Sequence, residues 1–169
     1  MIDRPARPAA RLTRPASGTT PARTRGAARR ATVLQGGRAK AYRPLPPAAR
    51  RQAFEGALAA YERGDFFEAH ELLEPAWMGT DDVAERDLHQ GLIKLAAAFV
   101  HGVRGNPLGI ARNLTGARER LAATIGSKPA ADSGLDVSAL VAAIDDRLGV
   151  LIADPTDASI DPPTLPRTP

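Results

Sequence analysis

One short stretch of the sequence concentrates side chains that could do chemistry. Residues 68–74 read Glu-Ala-His-Glu-Leu-Leu-Glu. His70 and Glu74 are four residues apart, a spacing that places an imidazole and a carboxylate on the same face of a helix. Together with Glu71, they could act as catalytic acid and base or bind a divalent metal ion. Because the stretch has one histidine, it supplies two metal ligands, His70 and Glu74, and a third must come from elsewhere.

A second set of polar side chains predicts where further partners lie. On the next predicted helix, Gln90, Lys94 and His101 form a narrow stripe on an otherwise apolar surface. Polar groups in a helical core need hydrogen-bond partners, and the acidic stretch on the neighbouring helix offers them. These three residues and Trp77 are therefore predicted to line a ligand-binding pocket, in which Gln90 orients the catalytic groups.

The same residues also fit a purely structural role. A pair between Lys94 and a carboxylate would satisfy much of the buried polarity, and Trp77 would then fill the core. His101 lies near a helix end and could interact with the helix dipole, and His89 is expected to be a solvated or packing residue. The sequence contains no Walker loop, dinucleotide-binding glycine pattern, nucleophile elbow or EF-hand loop. Both interpretations of the polar residues stay open.

The elements that position these residues are predicted to be helices. Apolar residues recur at helical spacing, and Asp or Asn caps, prolines and glycines mark the helix ends. Pro75 should kink or end the second helix near Glu74. The third helix is apolar on most sides, so it should be the central one. The five helices are predicted over about residues 48–63 and 65–74, from 81 or 82 to 104, from 106, and from 136 onward.

The fold class is therefore all-α, a compact bundle of about five helices between disordered tails. The helical domain is predicted over residues 46–153. Residues 1–45 form an Arg- and Pro-rich arm with few large apolar side chains, and residues 154–169 form a tail that contains five prolines. Such segments bury too little apolar surface to offset the entropy lost on ordering.

Charge is divided unevenly along the chain. Residues 1–51 contain thirteen Lys and Arg and one acidic residue, whereas residues 52–169 contain ten Lys and Arg and eighteen acidic residues. The pI of about 10.1 thus describes the arm, and the folded part is acidic. The arm is the segment expected to bind nucleic acid non-specifically or to contact an anionic surface.

Composition excludes several classes of protein. The chain has no cysteine, which rules out disulfides, thiolate metal sites and cysteine nucleophiles. The longest apolar run, Leu95–Val100, is six residues, far short of the roughly 20 that cross a bilayer. No continuous apolar segment follows the first arginines as in a secretory signal. The expected location is the cytoplasm, without membrane insertion.

Several of these motifs, in this order, resemble a bacterial helical family, domain of unknown function family 309. The resemblance rests on residues 64–74, Trp77, residues 89–94 and residues 104–106, and covers about residues 54–121. It implies a compact all-α domain, with no established activity. The family's recurrent polar positions look like His70, Glu71, Glu74, Trp77, Gln90 and Lys94. Lys94, where glutamine is more frequent, and Pro75 depart from that pattern.

Residues 61–69 also resemble the middle of a tetratricopeptide repeat. A second Gly-Asn turn follows Gly64 after 41 residues instead of the ~34 of that repeat, so an array is not supported. Two hypotheses of function follow. One is a polar pocket between helices that binds a small molecule or a divalent cation, hydrolase-like at best. The other is a non-enzymatic module that binds a protein or a polyanion through helical grooves or the basic arm.

Overall fold

The structure is a computed structural model that describes residues 31–169. Most of the arm expected to contact polyanions, residues 1–30, lies outside the described residues. The described part contains two strands and six α-helices. In chain order they are β1 (Thr32–Gln35), β2 (Arg38–Ala41), α1 (Pro47–Glu62), α2 (Phe66–Met78), α3 (Val83–Val103), α4 (Pro107–Ala122), α5 (Lys128–Asp132) and α6 (Val137–Ala153).

Side-chain caps fix where four of the long helices begin. Asp65, Asp82, Asn106 and Asp136 each accept a hydrogen bond from the backbone N–H three residues later. A cap of this kind satisfies an N–H that has no partner inside the helix. The predicted helix starts at these positions are confirmed, as is the all-α class of the fold.

Helix α3 is central, as its broad apolar surface predicts. It packs against α2, α4, α5 and β1, while α1 packs on α2 and α6 packs on α4. The core between these helices consists of fully buried aliphatic side chains, among them Leu95, Ile110, Leu114, Leu121 and Ile144. This arrangement brings polar residues of α3 beside several different elements rather than beside α2 alone.

A glycine allows α3 and α4 to approach closely. A Cβ added at Gly91 would lie 2.7 Å from Leu121 Cγ and 3.2 Å from the Leu121 backbone nitrogen. At Gly116, an added Cβ would instead meet the flexible side chain of Lys94, 2.9 Å from its Nζ. The two glycines therefore differ in what must move to accommodate a methyl group.

We expect Gly91→Ala to lower the free energy of unfolding by roughly 1–3 kcal/mol, because a buried leucine and the backbone of α4 would have to shift. Gly116→Ala is the matched control, since Lys94 can turn aside and alanine favours the helix. Urea denaturation of both variants measures the difference. Equal destabilisation of the two would contradict the close approach of the helices at Gly91.

The segment before α1 differs from the expected flexible arm. Residues 32–41 form an antiparallel hairpin in which Gln35 pairs with Arg38 across the turn. Gly36 and Gly37 have φ values of 57° and 73°, as the type I′ turn of a tight hairpin requires. These strands are not predicted from the sequence because each has only four residues, too few for a convincing alternating pattern.

The C-terminal tail also lies against the domain. The carbonyl of Pro163 accepts a hydrogen bond from the buried Tyr61 hydroxyl at 3.1 Å, and burial raises the pKa of that phenol. Leu165 is buried, and the backbone around Arg167 pairs with Leu135. Composition indicated a tail because prolines cannot continue a helix, but they do not prevent an extended segment from packing.

Two helix boundaries differ from the prediction as well. Helix α2 continues through Pro75 to Met78, and the last turn is held by the buried Ala76 and by a hydrogen bond from Trp77 to Gln35. The short helix α5, capped by Ser127, is an addition to the five predicted helices. Among the described residues, no helix has the length and apolar character needed to cross a membrane.

Candidate functional site

The predicted catalytic residues lie on the outer part of α2. Glu71 and Glu74 are exposed, and the His70 side chain is 28% exposed. His70 Nδ1 lies 3.2 Å from Glu71 Oε1, whereas no hydrogen bond joins His70 to Glu74 in residues 31–169. The helical spacing of His70 and Glu74 is as predicted, but neighbouring helices do not enclose the carboxylates. Their roles as catalytic groups and metal ligands stay predictions.

Two of the predicted ligand-binding residues do come together. Trp77 Nε1 donates a hydrogen bond to Gln35 Oε1 at 3.1 Å, and Gln90 Oε1 accepts one from Gln35 Nε2 at 3.0 Å. Their shared partner, Gln35, is the last residue of β1 and lies in the segment predicted to be a disordered arm. The hairpin thus supplies the hydrogen-bond partner of Trp77 on α2 and of Gln90 on α3.

The other two, Lys94 and His101, pack against α4. The Lys94 side chain lies over Gly116, and the His101 ring lies over Gly109. Asn106 Nδ2 is 3.1 Å from His101 Nδ1, so this histidine supports the turn between α3 and α4. These two residues are therefore separated from Glu71 and Glu74 by the surface of α3.

Metal binding by the acidic stretch finds no third ligand in this part of the chain. Within residues 31–169, no group of three or more His, Asp or Glu side chains is placed so that it could hold one metal ion. The divalent-cation hypothesis consequently depends on ligands from a bound molecule or from water.

A different site offers a cavity. A pocket of about 520 Å³ lies between α1, the first half of α3 and α5. Phe54, Leu58 and Leu88 provide an apolar wall, and charged side chains alternate around them. We call this the α1–α3–α5 pocket. Its remaining lining residues are Pro47, Arg50, Arg51, Glu55, Ala59, Glu62, Asp82, Glu85, His89, Lys128, Pro129, Asp132, Ser133 and Arg167.

His89 is the buried titratable residue of this pocket. It is 3% exposed, its ring lies 5.6 Å from that of Phe54, and it hydrogen-bonds the backbone of Ala76. Burial lowers the pKa of His89 to about 4, the charge of Glu85 opposes this shift, and Arg50 adds to it. His89 is therefore neutral at pH 7. Its Nδ1 is the buried side-chain nitrogen or oxygen that has no hydrogen-bond partner among the described residues.

A charged network forms one edge of the pocket. Arg50 donates to both carboxylate oxygens of Glu85, at 2.8 and 3.2 Å, and to the carbonyl of Leu45 at 2.6 Å. The Thr80 hydroxyl donates to Glu85 at 2.7 Å. Burial acts to raise the pKa of Glu85, but the hydrogen bonds from Arg50 and Thr80 outweigh it, and the pKa lies below its ordinary value.

Other charges at the rim are also paired. Lys128 bonds Asp132 within α5, and Arg167 of the C-terminal segment bonds Glu62 of α1. The rim is therefore close to neutral, with exposed ion pairs that contribute little stability and can exchange partners. A ligand would meet an apolar wall, a neutral imidazole and a polar edge.

This pocket is not predicted from the sequence. Its walls come from α1, α3, α5 and the C-terminal segment, which are brought together only by folding. The sequence contains one signal for it, since Glu85 and His89 are four residues apart and therefore lie on the same face of α3. That spacing is the same as that of His70 and Glu74, but the pair lies on the buried side of the helix.

Comparison with protein-family models matches residues 54–113 to DUF309, a domain of unknown function. No curated protein and no solved structure matches the chain. The resemblance noted from the acidic stretch and the Gln-Gly-Leu-Ile motif is thereby confirmed. The match contains α2, α3 and parts of α1 and α4, and it ends before α5.

Proposed function

We propose from the geometry that the domain, whose residues 54–113 match the DUF309 family of unknown function, binds a small amphipathic organic molecule in the α1–α3–α5 pocket. The observation that carries the proposal is a cavity of about 520 Å³ beside a buried, neutral histidine. Cavities of this size accommodate drug-sized ligands, and they are usually apolar with a few polar groups.

The lining suggests the chemical class of the ligand. The Phe54, Leu58 and Leu88 side chains favour an aromatic or alicyclic body. Because His89 is neutral and its buried Nδ1 has no partner in the described part of the chain, this nitrogen could accept a hydrogen bond from a hydroxyl or N–H of a ligand that displaces the side chains covering it. The paired charges of Arg50 and Glu85 favour a polar group at one end rather than a net charge.

The proposal is tested by filling the pocket. Ala59 lines it and is exposed, so Ala59→Trp should occupy the cavity without disturbing the core. Ala142→Trp is the matched control, since Ala142 is an exposed residue of α6 outside the pocket. A thermal-shift screen of aromatic and alicyclic alcohols and amines should give compounds that stabilise wild type and Ala142→Trp but not Ala59→Trp.

A compound whose free concentration is 100 times its Kd should raise the free energy of unfolding by about 2.7 kcal/mol. Compounds that donate a hydrogen bond to His89 should bind His89→Leu at least tenfold more weakly, whereas analogues without a donor should not distinguish the two proteins. Stabilisation that persists in Ala59→Trp would place the ligand elsewhere and overturn the proposal.

Binding is the function we propose, and catalysis is not part of it. The hypothesis of a hydrolase-like centre at His70, Glu71 and Glu74 is kept as a separate proposal. Its test is the metal content of protein purified without chelator, compared with that of a Glu74→Ala variant. A difference of about one metal ion per chain would support it. We also propose that the protein acts in the cytoplasm, in keeping with its cysteine-free sequence.

A further inference from the structure

The β1–β2 hairpin is joined to the helices mainly through one buried side chain. Gln35 is 1% exposed, whereas Leu34, the neighbouring apolar residue, is 69% exposed. Most other hairpin side chains are exposed or half-buried. An isolated two-stranded hairpin is marginally stable, so the position of this one depends on what holds Gln35.

Four groups of α2 and α3 surround the Gln35 carboxamide. Its Nε2 donates to Asp87 Oδ1 at 2.6 Å and to Gln90 Oε1 at 3.0 Å. Its Oε1 accepts from Trp77 Nε1 at 3.1 Å and from Arg86 Nε at 3.3 Å. A primary carboxamide has two N–H donors and one oxygen with two lone pairs, and all are used here. We call these four residues the carboxamide site.

The carboxamide site is held in place by contacts that do not involve Gln35. The Arg86 guanidinium lies 4.8 Å from the centre of the Trp77 ring and donates to the Thr80 carbonyl at 2.9 Å. Asp87 accepts a hydrogen bond from Arg120 of α4 at 2.7 Å. Arg86 and Asp87 would therefore keep these partners if the hairpin moved away, and the Arg86 guanidinium would still lie against the Trp77 ring.

The site also favours a carboxamide over a carboxylate or an apolar side chain. A carboxylate in place of the amide would face Asp87 at hydrogen-bond distance with no proton between them, which is repulsive. An apolar side chain would leave Trp77, Arg86, Asp87 and Gln90 each with one hydrogen bond fewer, at a cost for each buried group. The arrangement selects glutamine among side chains of this length.

Different hydrogen bonds hold the hairpin and the residues that follow it. Beyond β2, backbone hydrogen bonds fix the chain to the end of α2, from Arg43 N to the Met78 carbonyl and from Leu45 N to the Gly79 carbonyl. Within the hairpin, a further bond to the helices joins Arg86 to the Ala41 carbonyl at 3.2 Å. Residues 31–40 could therefore lift as a unit about Ala41.

The carboxamide site and the hairpin differ in whether they lie within the residues that match the family. Trp77, Arg86, Asp87 and Gln90 lie within residues 54–113, and the hairpin lies outside them. The four residues of the site thus lie within the matched range, and the side chain that fills the site comes from a segment that precedes it.

We propose that the carboxamide site is a recognition site for glutamine on an extended segment of another protein chain, and that Gln35 occupies it in cis as an intramolecular competitor. A partner segment gains access when the hairpin lifts, and its apparent affinity is reduced by the fraction of time that Gln35 fills the site. This site is separate from the α1–α3–α5 pocket, and neither proposal depends on the other.

The probe is a synthetic, fluorescently labelled peptide of residues 31–42. Full-length protein carrying Gln35→Ala has the site empty, so it should bind this peptide at least tenfold more tightly than wild type does, measured by fluorescence anisotropy. A peptide with Gln35→Glu has the same shape and should bind the variant at least tenfold more weakly than the glutamine peptide. The matched control is the Gln35→Ala protein with an added Gln90→Leu change. It should no longer bind the glutamine peptide more tightly than the glutamate peptide.

Two results would overturn the proposal. One is equal binding of the glutamine and glutamate peptides, which would mean that the basic peptide is attracted only by the acidic domain. The other is the absence of binding to a Gln35→Ala protein that shows a cooperative thermal transition.

Wild-type protein provides an independent measurement if the variant does not fold. Native-state hydrogen exchange should show the hairpin amides exchanging at least 100-fold faster than those in the middle of α3, because the hairpin opens alone. Protection of the hairpin equal to that of α3 would exclude independent lifting and with it the proposal.

Discussion

Replacing Arg86 by alanine is expected to lower the free energy of unfolding by about 3–5 kcal/mol. Arg86 is 0% exposed, and its guanidinium bonds the carbonyls of Thr80 and Ala41 and the side chain of Gln35. Truncation would leave these three oxygens short of a donor and open a cavity beneath the Trp77 ring. Urea denaturation followed by circular dichroism measures the change.

The matched control is Arg112→Ala, because Arg112 is an exposed arginine of α4. It should change stability by less than about 0.5 kcal/mol. A loss below about 1 kcal/mol in Arg86→Ala would show that water replaces the guanidinium at little cost, and would contradict the buried role assigned to it. Intrinsic fluorescence of Trp77 gives a second readout, since Arg86 lies against its ring.

Acidification is expected to destabilise the protein through His89. Its pKa is about 4 in the folded protein, below the ordinary value of 6.5, because burial disfavours the charged ring. Between these values the unfolded chain binds more protons than the folded one, so stability increases with pH across this window. The contribution of His89 is complete above pH 6.5 and is lost as the pH falls towards 4, a change of roughly 3 kcal/mol.

The measurement is a set of urea denaturation curves between pH 4 and 7.5. In His89→Leu, the slope of stability against pH between 4 and 6.5 should fall by the His89 contribution. Folding lowers the pKa of Glu85, so its contribution to stability is present above its ordinary value of 4.5 and is lost as the pH falls below that value. Identical profiles for wild type and His89→Leu would contradict the low pKa of His89.

The predictions from sequence succeeded where the cause is local. A capping residue such as Asp65 accepts a hydrogen bond from an N–H three residues away, so its effect can be predicted from the neighbouring residues. The apolar surface of α3 predicted its central position because a surface that wide must be covered on several sides. The acidic stretch and the glutamine motif likewise indicated the family, since both are contiguous in the chain.

Prediction of the site was less complete because helical spacing places two residues on one face but does not say which way that face points. His70 with Glu74 and Glu85 with His89 have the same spacing, yet Glu71 and Glu74 reach solvent while His89 is buried. The hairpin was missed for a related reason. It is fixed by Gln35, whose partners Asp87 and Gln90 are 52 and 55 residues away.

By itself, the sequence determined the helices, their capped beginnings, the central place of α3 and the family whose model matches residues 54–113. Those features depend on interactions within a few residues or on the apolar pattern of one element. Only the tertiary structure decided that Trp77 and Gln90 both form hydrogen bonds with Gln35. It also decided that α5 and the C-terminal segment line a pocket together with α1, and that burial keeps His89 neutral. Each of these depends on the distance between groups far apart in the chain, which sequence spacing does not specify.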